Sequence, residues 1–272
     1  MADTQTGYVS VNGLKMYYEI HGKGEPLVLL HGALSNIEVD FGRMLPAFAR
    51  TRQVIAIEQQ AHGHTADIGR PLTYEQMADD TAALLRHLEI EQSDFFGYSM
   101  GAGIALQVAM RQPDLVRKLI LASVTYNSGG FHPGVLAGIG QIVPEMLAGT
   151  PFAEEYARIA PNPDDWPALI ERVKELNGRV QDWLPGAIRE LPAPTLLIYG
   201  DADQMRLEHA VELFGLFGGG VAGDMVGLPE SRLTVLPATT YISLVHRAEW
   251  LISMIGEFLD APMSETVRAS DV

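Results

Sequence analysis

Six short apolar runs limit what this chain can fold into. They are PLVLLHG from Pro26, RQVIAIE from Arg52, SDFFGYS from Ser93, LVRKLILASV from Leu115, TLLIYG from Thr195 and RLTVLP from Arg232. Each is too short for a free-standing helix, and most are continuously apolar rather than alternating. That is the pattern of a strand buried on both faces, which needs helices on either side. Suitable helices lie between them. Residues 73 to 88 place Met77, Thr81, Leu84, Leu85 and Leu88 on one face. MGAGIALQVAMRQ runs up to Pro113, LEHAVELFGLF precedes the last strand, and a closing helix is expected from about Leu244 to Leu259. YVSVNG and LKMYYEIHG alternate about Asn12-Gly13, a hairpin signal. The chain therefore reads as α/β, with a mostly parallel central sheet covered by helices.

One segment breaks the rhythm. Residues 125 to 194 hold Gly, Pro, Trp166, Trp183 and short helical patches, and the span is too long for a loop. It reads as a helical cap inserted between two strands of a core formed by residues 1–124 and 195–272. Phe131, Ile139, Ile142, Met146 and Trp166 give it the apolar content of a packed lid. The Gly-rich run GLFGGGVAG follows a helix and precedes a strand, the reverse of a phosphate loop, so it reads as a connection.

Composition removes several functions. There are 34 acidic residues against 19 Lys and Arg, a formal net charge of −15. Such a surface repels phosphate backbones and anionic lipid, so neither nucleic acid nor membrane is an expected partner. A neutral or apolar small molecule is compatible with it, and a homo-oligomer stays open. There is no cysteine, hence no disulfide and no thiolate chemistry. No His/Asp spacing forms a metal-ligand set, and no cofactor is expected. No apolar run is long enough to span a membrane, and MADTQTGYVS lacks a signal-peptide core, so the expectation is cytoplasmic.

The strongest motif is GYSMG, Gly97 to Gly101, at the junction of an apolar strand and a helix. G-x-S-x-G needs that context, because Ser99 must occupy a tight turn with small neighbours. Gly97, Gly101 and Gly103 supply the room. HGALS, His31 to Ser35, ends the strand PLVLLHG. On these motifs, over nearly its whole length, the chain resembles the α/β-hydrolase family, serine esterases and lactonases in particular.

The resemblance implies roles. The backbone N–H groups of Ala33 and Met100 correspond to the family's oxyanion hole, and His31 is then structural. EQQAHGHTAD matches a pocket loop but has Ala61 where the family has its first Gly. In YGDADQM the family's acid corresponds to Asp203, with Asp201 as runner-up. The triad histidine should follow the last strand. The sequence there is LPATTYISLVH, and Tyr241 occupies the position. Residues expected to border a substrate are His31, Gly32, Tyr98, Gln204, His132 and Trp166.

No other histidine offers itself plainly as a base. His21, His87 and His209 read as surface or packing. His246 falls away from the stripe of Leu244, Ala248, Leu251, Ile255 and Phe258. His62, His64 and His132 sit near the family pocket without an evident acid partner. Tyrosine titrates near 10, and a neighbouring carboxylate raises it further. Tyr241 is therefore expected to donate its O–H to Asp203, or to turn into the pocket.

Three readings follow. The first is a hydrolase of small carboxylic esters or lactones acting through acyl-Ser99, with ordinary turnover strongly impaired by Tyr241. The second is a repurposed lyase, isomerase or cyclase using Tyr241, Gln204, His64 and Gln60 as hydrogen-bonding groups. The third is a non-catalytic small-molecule binder. An aspartate-nucleophile relative is disfavoured, because the nucleophile position reads Ser99.

Overall fold

A computed structural model of the chain describes residues 4–179 and 182–263. The ends of the expected core (1–3 and 264–272) and residues 180 and 181 of the expected cap lie outside that range. The hairpin forms from β1 (Thr4–Val11) and β2 (Leu14–His21). Its two-residue turn has φ of 48° at Asn12 and 83° at Gly13, the left-handed pair that matches strand twist. The buried runs become β3 (Glu25–Leu30), β4 (Arg52–Ile57), β5 (Ser93–Tyr98), β6 (Val116–Ala122), β7 (Thr195–Ala202) and β8 (Arg232–Thr240). The sheet order is β1-β2-β4-β3-β5-β6-β7-β8, antiparallel across β1, β2 and β4 and parallel from there on.

Helices α1 (Ile37–Phe41) and α2 (Leu45–Phe48) follow β3, α3 (Tyr74–His87) follows β4, and α4 (Met100–Arg111) follows β5. The long connection from β6 to β7 holds α5 (Val135–Ile139), α6 (Pro151–Ile159), α7 (Trp166–Gly178) and α8 (Pro185–Arg189). After β7 come α9 (Leu207–Leu216) and α10 (Gly223–Val226), and α11 (Ala248–Asp260) follows β8. The closing helix starts later than its pattern suggests: Leu244–His246 is a separate 3-10 turn. Strand β8 also runs past Pro237, where the expected strand ended.

Alternate residues of β3 serve opposite layers. Val28 and Leu30 join Met77, Leu84, Leu85 and Ile104 of α3 and α4. Leu27 and Leu29 join Phe41, Phe48, Ile255 and Phe258 on the other face. All four β3 side chains are fully buried, and each contributes roughly 1.5–3 kcal/mol by leaving water. Helix α11 is tied down by Lys118, buried in β6. Its Nζ donates to the carbonyls of Phe258 at 2.9 Å, Leu259 at 3.1 Å and Ala261 at 2.5 Å, satisfying acceptors that a helix end leaves open.

The β6–β7 connection is anchored at several points. Phe131 bridges to Met205, Trp183 N–H donates to Tyr126 O at 2.9 Å, and Arg172 Nε donates to Asp67 at 3.1 Å. Met146 departs from its expected packing role. It is 63% exposed, because its 3-10 turn (Pro144–Leu147) sends Leu147 toward the interior instead.

Candidate active site

The elbow between β5 and α4 carries the site. Ser99 has φ 53° and ψ −114°, a conformation that costs roughly 1–3 kcal/mol for a non-Gly residue. Its N–H donates to Ala122 O at 2.9 Å, and its carbonyl accepts from Gly103 N–H at 3.0 Å. The glycines beside it let the layers meet. A Cβ on Gly101 would overlap the Leu30 carbonyl, and one on Gly97 would overlap the backbone of Gly101. One on Gly103 would strike the ring of Tyr74.

The turn after β3 leaves one amide uncommitted. Gly32 N–H donates to Asp40 Oδ2 at 2.7 Å, and Leu34 N–H donates to His62 Nε2 at 3.2 Å. Between them Ala33 N–H has no acceptor among the described residues, and the same holds for Met100 N–H at the start of α4. Both residues line one cavity together with Ser99. Asp40 holds the turn a second time by accepting from Ser35 Oγ at 2.7 Å. Burial pushes its carboxyl up to about 6, against the pull of those two donors. Sequence reasoning passed over Asp40, since nothing in SNIEVD distinguishes it from a solvated helix residue.

The histidines near this turn are spent. His31 is fully buried. Its Nδ1 contacts Gly32 O at 2.7 Å, and its Nε2 accepts from Gln59 N–H at 3.1 Å. His62, equally buried, contacts Gln60 O through Nδ1 at 2.8 Å and uses Nε2 for Leu34. With both nitrogens engaged, each ring is a neutral tautomer that donates at Nδ1. Burial lowers His31 to about 3 and His62 to about 4. His31 and Gly32 thus do not border the cavity as expected. They brace the turn behind it. Ala61, with φ 66°, keeps the left-handed turn that a glycine adopts more easily, so the loop holds its course.

On the opposite side stands Tyr241. Its O–H donates to Ser99 Oγ at 2.5 Å, across 142 residues of sequence. Of the two expected orientations the pocket wins, and the bond to Asp203 is not made. Asp203, nearly buried, instead accepts from Ser123 Oγ at 2.7 Å, Gly200 N–H at 3.1 Å and Met205 N–H at 3.2 Å. Asp201 is exposed and accepts from Ala238 and Thr239 N–H at 2.9 Å each, which holds the end of β8. Tyr98 is placed by its hydroxyl, which donates to Tyr241 O at 2.9 Å, and its ring lies 5.3 Å from that of Tyr241. Burial raises the Tyr241 hydroxyl to about 12 even though Ser99 favours its ionised form.

The cavity has a volume of about 160 Å³. Ser99, Met100, Ala33, Gln204 and Tyr241 meet there, while Tyr98, His132 and Trp166 are not among its walls. His132 is exposed, with its N–H on Gln204 O at 2.9 Å. Trp166 lies in a separate cluster with Tyr156, Leu169 and Val173, its ring centroid 5.1 Å from that of Tyr156. Tyr74, Phe152, Leu176 and Asn177, which sequence reasoning missed, do line the cavity. Asn177 and Phe152 lie at ordinary helical positions, so no sequence signal marked them. No described histidine lines the cavity. His64 pairs with Glu58 at 2.9 Å and stacks on Tyr17, and His246 is exposed.

A family model for the alpha/beta hydrolase fold matches residues 25–163. The chain belongs to the α/β-hydrolase family. It is 28% identical over 287 aligned positions to a 2-hydroxymuconate semialdehyde hydrolase of Pseudomonas sp. strain CF600, covering 91% of each chain. It is 29% identical over 120 residues to a pyrrolizixenacetamide deacetylase of Xenorhabdus hominickii, spanning 44% of this chain and 45% of that protein. Its fold superimposes on 2-hydroxy-6-oxo-6-phenylhexa-2,4-dienoate hydrolase from Rhodococcus sp. strain RHA1 with a TM-score of 0.74. That match covers 96% of this chain and all of the other at 18% identity, a likeness of fold. Among the described residues, no helix of this α/β hydrolase is long and apolar enough to cross a membrane.

Proposed function

We propose that this α/β hydrolase has the site of a serine hydrolase for small carboxylic esters or lactones, with its base position taken by Tyr241. The observation that carries the reading is the 2.5 Å hydrogen bond from Tyr241 O–H to Ser99 Oγ. A triad needs an acceptor there, to remove the serine proton as Oγ attacks the carbonyl. Tyr241 supplies a donor. With its hydroxyl at about 12, roughly one molecule in 10⁵ carries a tyrosinate at neutral pH. Ser99 is the nucleophile of the acyl-enzyme route, and the amides of Ala33 and Met100 receive the oxyanion. Asp203 is the residue that would orient a histidine at position 241. Ordinary hydrolysis is therefore strongly impaired, not abolished, since oxyanion and binding contributions outlast loss of the base.

The experiment is Tyr241→His, with both forms assayed on a panel of activated esters and lactones. A gain of a hundredfold or more is expected. No gain would sink the reading. A fluorophosphonate probe tests the same point independently: strong labelling of Ser99 in the unmodified chain would reveal a working base.

One observation favours a second use of the cavity. The hydroxyls of Ser99 and Tyr241, with Tyr74 and the amide of Gln204 lining the same cavity, form a set of neutral hydrogen-bonding groups. Such a set suits non-hydrolytic lyase, isomerase or cyclase chemistry, or plain ligand binding. Turnover of a non-ester carbonyl compound by the unmodified chain would single out the first of these.

A further inference from the structure

We infer that the cavity selects an uncharged carbonyl compound whose apolar arm is about the size of one six-membered ring and ends in a neutral hydrogen-bonding group. This rests on the reading of the Ser99 cavity as the acyl pocket of a serine hydrolase.

Three observations carry it. The first is the wall that the β6–β7 connection contributes. Phe131, Ile139, Ile142, Leu147 and Phe152 come from that segment, and its one polar contribution among the described residues is Asn177. The second is the character of the polar groups. Beyond Ser99 and Tyr241, the polar side chains lining the cavity among the described residues are Tyr74, Asn177 and Gln204, and none of the described lining residues is charged. Asn177 Nδ2 donates one of its two hydrogens to Val173 O at 2.9 Å, and its Oδ1 remains as an acceptor. The Gln204 side-chain amide has no hydrogen-bond partner among the described residues and supplies both a donor and an acceptor. A hydroxyl, keto or amide group satisfies them. A carboxylate entering here would lose its hydration without meeting a cation. It would also approach Asp203, whose neighbours Gln204 and Met205 line the cavity. The third observation is size. The volume is about 160 Å³, and apolar cavities of about 150 Å³ accept a benzene-sized guest.

The oxyanion amides attract a carboxylate of their own, so the test must place charge on the far end of the arm. Two methyl ketones do this: 6-oxoheptanamide and 6-oxoheptanoate. Neither can be hydrolysed at its ketone, and binding to the unmodified chain is read by calorimetry. The amide is expected to bind at least tenfold more tightly than the carboxylate. Gln204→Arg is expected to erase or reverse that preference, and Asn177→Lys repeats the test from α7 should the first variant fold poorly. Equal binding of the two ketones by the unmodified chain, or binding of neither, overturns the inference. Turnover plays no part in these measurements. An ester-hydrolysis gain in Tyr241→His alongside equal ketone binding would keep the hydrolase reading and discard this one. The reverse pair of results would do the opposite.

Discussion

The two flanks of Ser99 are built on different terms. Toward β3 and β4, the polar groups are buried and committed: Asp40 to Gly32 and Ser35, His62 to Leu34 and Gln60, His31 to Gly32 and Gln59. Toward β7 and β8, the chain is looser. Strand β8 is a sheet edge, Ile242 is 53% exposed, and Gln204 has an unpaired amide. The turn that carries Ala33 sits on the rigid flank and Tyr241 on the yielding one. Tyr241 reaches Ser99 because its ring extends into the cavity from the turn after β8. The comparison teaches that the fold holds the turn at Ala33 by more buried hydrogen bonds than the turn at Tyr241.

The largest effect is expected on the rigid flank. Gly101→Ala puts a methyl group into the Leu30 carbonyl, and backbone cannot step aside as a side chain can. A loss of about 4 kcal/mol or more in urea-unfolding stability is expected, in the exceptional range for one substitution. A loss under 1 kcal/mol would show that α4 and β3 are not locked together. On the yielding flank, Tyr241→His should change stability by less than about 1 kcal/mol, within the range of mild substitutions. Its hundredfold gain in ester hydrolysis corresponds to about 2.7 kcal/mol of barrier. The gained activity should also show an acid limb near the ordinary histidine range, absent from the unmodified chain because Tyr241 titrates only near 12.

A pH series sharpens the contrast further. Burial holds His62 at about 4, whereas an unfolded histidine takes up its proton near 6.5. The stability from its neutral ring is complete above about 6.5 and is lost as pH falls toward 4. The slope is at most about 1.4 kcal/mol per pH unit. Asp40 runs the other way: raised to about 6, it destabilises the fold as pH rises through that value. Asp40 is present in both chains, so subtracting a His62→Gln series from the parent series removes its contribution and leaves that of His62 with its effect on the adjoining His31. The parent's advantage should shrink across pH 6.5 to 4, and a constant difference would mean that the ring is not held neutral. The smallest effect belongs to Tyr98→Phe. It deletes one hydrogen bond to the Tyr241 carbonyl, worth about 1 kcal/mol in thermal or urea unfolding.

Much of this was legible in the order of residues. The elbow at Ser99, the turn at Ala33 and the strand that delivers Asp203 each depend on a few neighbouring residues. Trp166 and Met146 misled, because an apolar residue in an inserted segment can face a cavity, a private cluster or water with the same local sequence. Tyr74 and Asn177 went unseen for the converse reason. Their helical positions look ordinary until α3 and α7 are folded over Ser99.

The sequence by itself determined the α/β architecture, the tight turn at Ser99 and the absence of histidine at position 241, since those follow from local patterns of burial, turn geometry and chain order. Only the tertiary structure decided that Tyr241 bonds to Ser99 while Asp203 bonds to Ser123, and that His31 and His62 have no nitrogen to spare. The reason is physical. A hydrogen bond joins groups within about 3 Å whatever their separation along the chain, and here four of the deciding bonds join residues 28 to 142 apart: His31 to Gln59, His62 to Leu34, Asp203 to Ser123 and Tyr241 to Ser99.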